Sequence, residues 1–228
     1  MPAKNAIKTY VEGGHYHIYN RGVDKRVIFE DEQDYKVYLH LLKVLLSPPD
    51  NISQHPLTEI TGFNPVRLRL LNETLYKEID LLAYCLMPNH FHLLLKQHTK
   101  NAISKLLSRL TIAYVMYFNK KYEREGRLFQ GIFKGAHIIE DSYLLHTSRY
   151  LHLNPSELTG IHPVSEYPYS SYAYYLGAKN AEWVKPEEIL SYFKTAKRSG
   201  LKDFFSYQSF VEDYKEDPKE MMGELALE

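Results

Sequence analysis

The residues best suited to chemistry are two histidines set one residue apart, His90 and His92, in the run Leu86-Met87-Pro88-Asn89-His90-Phe91-His92-Leu93-Leu94-Leu95. The apolar character predicts a buried strand. Side chains alternate faces along a strand, so both imidazoles point one way and Phe91 the other. Packing explains such a pair poorly, because buried polar groups must find partners. Two neutral imidazoles side by side are a ready metal site. Two ligands underfill a metal, and the stretch from Asp141 to Asn154 offers a stripe that can complete it. His146, Tyr150 and Asn154 recur every four residues and share one helical face. A phenol is a weak nucleophile while neutral, with an intrinsic pKa of about 10. A phosphate polarised by a divalent cation would be open to its attack, with a neighbouring base taking the proton. On spacing alone, Tyr150 is at least as readily one of twenty tyrosines packing a helix on a sheet.

These residues need elements to hold them. Tyr16 to Tyr19 alternates into a strand that ends at Asn20-Arg21-Gly22. Asp31 to Leu46 has helical spacing, with Tyr35, Tyr38, Leu39, Leu42, Leu45 and Leu46 on its apolar face. Prolines 48, 49, 56 and 65 mark residues 47–78 as an inserted loop region. Leu81 to Leu86 and Phe91 to Leu95 read as neighbouring core strands turned at Met87-Pro88-Asn89. Ala102 to Tyr122 is a strong helix, and Leu128 to Ile139 a further strand after the break at Gly126. Asp141 to Asn154 opens on an acidic cap and stops at Pro155. Pro155 disfavours helical geometry at Asn154, so that amide should be left to turn towards a metal.

The order strand, helix, strand, strand, helix, strand is the split βαβ pattern of an α+β, ferredoxin-like βαββαβ domain with an antiparallel sheet. An extra helix carries the tyrosine and must lie near the open face of the sheet. The division expected is residues 1–176 for the domain with the site and 177–228 for a small helical extension, with helices at Glu187 to Lys194 and Asp203 to Tyr214 and an acidic tail.

The formal net charge is zero, but it is unevenly spread. Nine basic residues stand against Glu123 and Glu125 between Lys96 and Lys134, while eight acidic residues stand against two lysines from Asp203 to Glu228. Such asymmetry hints at a polyanion partner. The one cysteine, Cys85, excludes an internal disulfide framework and a cysteine-based zinc site. No signal peptide is evident and no apolar run approaches spanning length, so the expectation is a cytoplasmic, nucleoid-associated protein with no membrane role.

His90-Phe91-His92 after Met87-Pro88-Asn89, together with Arg149-Tyr150-Leu151-His152-Leu153-Asn154-Pro155, resembles the HUH single-tyrosine transposases, in the branch of the REP-associated tyrosine transposases. Three further pieces match in order: His17-Ile18-Tyr19-Asn20-Arg21-Gly22, then Arg127-Leu128-Phe129-Gln130-Gly131 with Phe133-Lys134, then Tyr167-Pro168-Tyr169-Ser170-Ser171-Tyr172. The likeness runs from about residue 13 to residue 175. A lone His-x-His is a weak signal, whereas the ordered set of five is strong.

The resemblance implies an endonuclease and strand transferase acting on single-stranded or hairpin DNA through a 5′-phosphotyrosine link. Carried onto this chain, it makes Tyr150 the nucleophile, His90 and His92 metal ligands and Asn154 the third ligand; some relatives have glutamine there. The ion implied is Mg2+ or Mn2+, and a mixed site without thiolate agrees with that over tightly held zinc. Lys105, Arg109, Lys120 and Lys121, with Arg21 and Arg127, would hold the DNA backbone, and Asn20 and Gln130 would read bases or brace the site. Family members occur both as monomers and as homodimers that share the tyrosine helix. Two other classes stay open: a hydrolase using the histidines with activated water, and a non-catalytic ferredoxin-like nucleic-acid-binding module.

Overall fold

The computed structural model describes residues 10–48, 74–158, 163–194 and 206–214. The described chain runs β1 (His15–Arg21), α1 (Glu32–Leu46), β2 (Ile79–Met87), β3 (His90–Gln97), α2 (Ala102–Lys121), β4 (Lys134–Ile138), α3 (Asp141–Leu153), α4 (Tyr172–Tyr175), α5 (Glu187–Lys194) and α6 (Tyr207–Glu212). The four strands form one sheet in the order β2-β3-β1-β4, with every neighbouring pair antiparallel. The expected α+β, βαββαβ architecture is therefore the one found. Most of the expected insertion and all of the acidic tail beyond Tyr214 lie outside the described residues.

Alternation divides the sheet between two cores. Tyr16 and Ile18 of β1, Leu81, Tyr84 and Leu86 of β2, and Phe91, Leu93 and Leu95 of β3 face α1 and α2. Leu82, Ala83, Cys85, Met87 and Leu94 face the other way, against α3 and the later helices. A register shift between Leu81 and Ala83 reverses the alternation within β2, so Leu81 and Tyr84 share a face although three residues apart.

Local sequence fixes the end of the sheet nearest His90. Asp31 caps α1 by accepting from the Asp34 amide, and Asp34 reciprocates. Gly22 follows β1 where its amide donates to the Asn89 carbonyl, and a Cβ there would run into the Arg26 carbonyl. The Pro88 carbonyl accepts from the amides of Ile28 and Phe29, which locks the β2–β3 turn to the segment before α1.

The strand expected from Leu128 to Ile139 is shorter than its composition suggests. Only residues 134–138 pair along β1, while Phe129 makes a single bridge to Gly22 and the Gln130 amide donates to the Arg21 carbonyl. Residues 128–133 are spent closing the end of the sheet. The described part of 177–228 does not stand apart from the rest. Ile189 of α5 and Tyr207, Phe210 and Val211 of α6 are buried in the core beneath α3.

Candidate active site

His90 and His92 occupy the first and third positions of β3, which places them on one face with their ring centroids 4.9 Å apart and nearly perpendicular. α3 crosses that face and brings Tyr150 down onto it. The phenol ring stands edge-on to His92 at 5.4 Å and to His17 at 6.1 Å, and only 2% of Tyr150 is exposed.

His17, in the sequence only part of a strand motif, stands in the centre of this face. It lies on β1 opposite Leu94 and Ala136, wholly buried, with its ring stacked on His92 at 5.1 Å. His17 Nε2 and His92 Nδ1 are 2.8 Å apart, a hydrogen bond whose direction depends on the tautomer. Tyr19, also buried, sits directly across from His92, and Lys134 reaches over the Tyr19 ring. The signal for these residues was the two-residue period His17, Tyr19, Arg21. It gained meaning only once the register set Tyr19 against His92 and Arg21 against His90.

The two histidines are held differently. His90 Nδ1 is 2.6 Å from Asn89 Oδ1, an atom that only accepts, so His90 carries its proton on Nδ1 and its lone pair on Nε2. The Asn89 amide nitrogen in turn donates to the Lys25 carbonyl, which fixes which way round the amide lies. His92 Nε2 is buried with no hydrogen-bond partner among the described residues. Burial first, then the neighbouring His90 and His17, holds the His92 imidazole well below the ordinary histidine range, so it is neutral at physiological pH. A neutral imidazole with an orphaned nitrogen beside a second imidazole of fixed tautomer is a donor pair that fits a divalent ion. No group of three or more His, Cys, Asp or Glu side chains suited to a metal occurs among the described residues.

Asn154 does not behave as Pro155 led the sequence reading to expect. Its backbone is helical (φ −47°, ψ −42°), because it opens a short 3-10 turn, Asn154–Glu157, in whose first positions Pro155 needs no amide proton. Asn154 is buried, and its Nδ2 donates to the Tyr150 carbonyl. That leaves Oδ1 as the amide atom with the chemistry of a metal ligand. His146, the third member of the helical stripe, is engaged with Arg149 at 2.7 Å and lies beside Phe210.

The residues expected to meet DNA separate into two groups. Arg21 stands on the site face opposite His90. Arg127 and Gln130 are exposed on the adjacent closing loop, while Asn20 is buried and braces that loop by donating to the Gly131 carbonyl. Lys105, Arg109 and Lys120 belong to α2, on the opposite side of the sheet. Lys105 lies 3.5 Å from Glu78 and Lys120 is exposed. Lys121 is a correction to the sequence reading: its ammonium is bound to Asp31 at 2.7 Å and to buried Asp34 at 2.8 Å, with its side chain 13% exposed. It holds α2 to the start of α1.

Residues 69–154, which run from β2 through α3, match the family model described as "Transposase IS200 like". Among solved structures the chain is similar to a REP-associated tyrosine transposase bound to a REP hairpin, at 13% identity and a TM-score of 0.49, over 78% of this chain and 95% of that one. No curated protein matches the chain.

Proposed function

We propose that this chain, whose site is built largely by the segment that matches the IS200-like transposase model, is a tyrosine-dependent DNA endonuclease and strand transferase acting on single-stranded DNA, hairpins included. The observation that carries the reading is the seating of Tyr150 edge-on against His92, on the one sheet face that also holds His90. A phenol and two imidazoles gathered there from separate elements suit attack on a phosphate better than they suit packing.

His90 and His92 would hold a divalent ion, Mg2+ or Mn2+, with Asn154 Oδ1 as the third ligand. When bound, the ion supplies charge withdrawal from the scissile phosphate. Tyr150 makes the bond. Its Oη joins phosphorus as the bond from phosphorus to the 3′-oxygen breaks; the phenol gives up its proton and the departing oxygen takes one up. The products are a 5′-phosphotyrosine and a 3′-hydroxyl. The diester's energy is kept in that link, so a 3′-hydroxyl attacking in reverse rejoins the strand without a nucleotide. Arg21, opposite His90, would hold a phosphate beside the site, while Arg127 would hold one on the loop after α2, where it lines a cleft with Leu107 and Ser108; Gln130 is exposed on that loop and Asn20 braces it. Lys105, Arg109 and Lys120 hold backbone that continues round to the far side of the sheet.

The test is incubation of the full chain with a pool of single-stranded DNA hairpins and Mn2+, resolved under denaturing conditions. Wild-type protein is expected to form a covalent adduct that maps to Tyr150. Tyr150→Phe is expected to form none while still folding and binding both metal and DNA. An adduct in the Phe variant moves the nucleophile elsewhere. Cleavage by wild type with no adduct favours the water-using hydrolase, and binding with no cleavage favours a recognition module.

A further inference from the structure

We propose that His17 is a positioning residue for the metal site: its hydrogen bond to His92 Nδ1 fixes the ring and the tautomer that leave the His92 Nε2 lone pair available to the ion. This rests on the metal reading above and adds a residue to it.

A neutral imidazole has one N–H, so the 2.8 Å contact between His17 Nε2 and His92 Nδ1 can be made in two ways. If His17 donates, the His92 proton must sit on Nε2. That atom then has no lone pair for a cation. If His92 donates, its proton sits on Nδ1, His17 Nε2 accepts, and His92 Nε2 presents a lone pair. Only the second arrangement makes His92 a ligand. Asn89 imposes the same tautomer on His90, because Asn89 Oδ1 can only accept. The two ligands are thus set by two different outer partners, one on the β2–β3 turn and one in the middle of β1.

His17 is well placed to do this. It is wholly buried, held in register on both sides by Leu94 and Ala136, and stacked on the ring it orients. Its ring also stands edge-to-face with Tyr150 at 6.1 Å, so it packs against both the ligand and the phenol. Outer partners of ligating histidines typically change metal affinity by roughly 10- to 100-fold when removed.

The experiment compares wild type, His92→Ala, His17→Phe and His17→Gln as full chains. Mn2+ uptake is followed by the loss of the free-ion electron paramagnetic resonance signal, and adduct formation is measured across Mn2+ concentrations. Phe keeps the ring and stack without the hydrogen bond; Gln places an accepting oxygen near the position of Nε2. His17→Phe is expected to bind Mn2+ at least about 10-fold more weakly. Its adduct rate should recover at saturating Mn2+, and His17→Gln should regain most of the lost affinity. A second measurement needs no variant: 15N-edited imidazole spectra of Mg2+-loaded wild type should place the His92 proton on Nδ1. Affinity unchanged in His17→Phe, or a His92 proton on Nε2, overturns the proposal. Wild-type protein that takes up no Mn2+, or takes it up equally after His92→Ala, overturns the metal reading itself and this proposal with it.

Discussion

Asp34 is wholly buried, and the Tyr117 and Tyr122 hydroxyls, the Glu30 amide and the Lys121 ammonium all donate to its side-chain oxygens. His92 is equally buried, and one of its nitrogens has no such partner among the described residues. The first group is satisfied from within the fold, so its neighbours serve stability; the second is left for the ion of the proposed site. The contrast gives Lys121 a measurable role. Replacing it with Met strands the Asp34 charge and is expected to cost about 3 kcal/mol in urea unfolding, with no change in the salt dependence of DNA binding. Lys120→Met, on the exposed side of the same turn, should stay within about 0.5 kcal/mol of wild type. The pair His90 and His92 was legible because alternation needs only one strand. His17 was not, because its meaning depends on strand register. Lys121 misled because on α2 alone it looks like part of a solvated basic stripe, and the acids that take it up come from ninety residues earlier.

The element that governs the site is α3, and it is fastened on two sides. One side lies on the sheet; the other is gripped by the described parts of the C-terminal region. Arg149 is sandwiched between the rings of Phe210 and Tyr214 at 4.1 and 3.9 Å and donates to the Phe210 carbonyl. His152 is bound on one nitrogen by the Tyr207 hydroxyl and on the other by Ser171 Oγ, and Tyr207 also donates to Ser148. α5 is fixed to the sheet by Glu188, which meets His15 and Lys96 and is held down to about 2 by the His15 hydrogen bond, with Lys96 assisting against the opposing effect of burial. Phe210→Ala is therefore expected to destabilise the protein by about 3 kcal/mol and to speed amide exchange in α3 more than in α1. Equal acceleration in both helices would show that α6 supports the whole fold evenly. The existence of α3 was readable from its period and the stop at Pro155, although the acidic cap expected at Asp141 is not made: Asp141 lies in the first turn, and Glu140 before it makes no side-chain cap hydrogen bond. Its anchorage was not, because α6 follows more than fifty residues later and its contacts are aromatic and cationic with no local pattern.

At the scale of the whole molecule, two consequences follow from what the fold hides and what it shows. His152 is buried and neutral, and that burial pushes its pKa down to about 3. Unfolded chain binds a proton at a histidine near pH 6.5, so the unfolded state holds more protons below that value. The His152 contribution is complete above about pH 6.5 and is lost as pH falls from there towards 3, at up to about 1.4 kcal/mol per pH unit. His92 acts in the same direction. Urea midpoints should fall between pH 7 and pH 5, and His152→Gln should flatten that fall. The second consequence concerns charge. The basic residues of α2 and those beside His90 lie on opposite sides of one sheet, so DNA that meets both must turn around its edge. Each phosphate contact to single-stranded DNA contributes about 0.7 to the salt slope. Lys105→Ala with Arg109→Ala is then expected to flatten the slope by about 1.4, weakening binding alike for all sequences. An unchanged slope would confine the DNA to the face that holds His90.

Because α3 is held on both sides by its own chain, each molecule brings one Tyr150 to one pair of histidines. Under the proposed chemistry a covalent link occupies that tyrosine until the strand is released. One molecule can therefore retain a single DNA end at a time. Any product that needs two ends captured together requires two molecules. Its initial yield should rise with the square of protein concentration when protein is limiting, while the single-end adduct rises only in proportion.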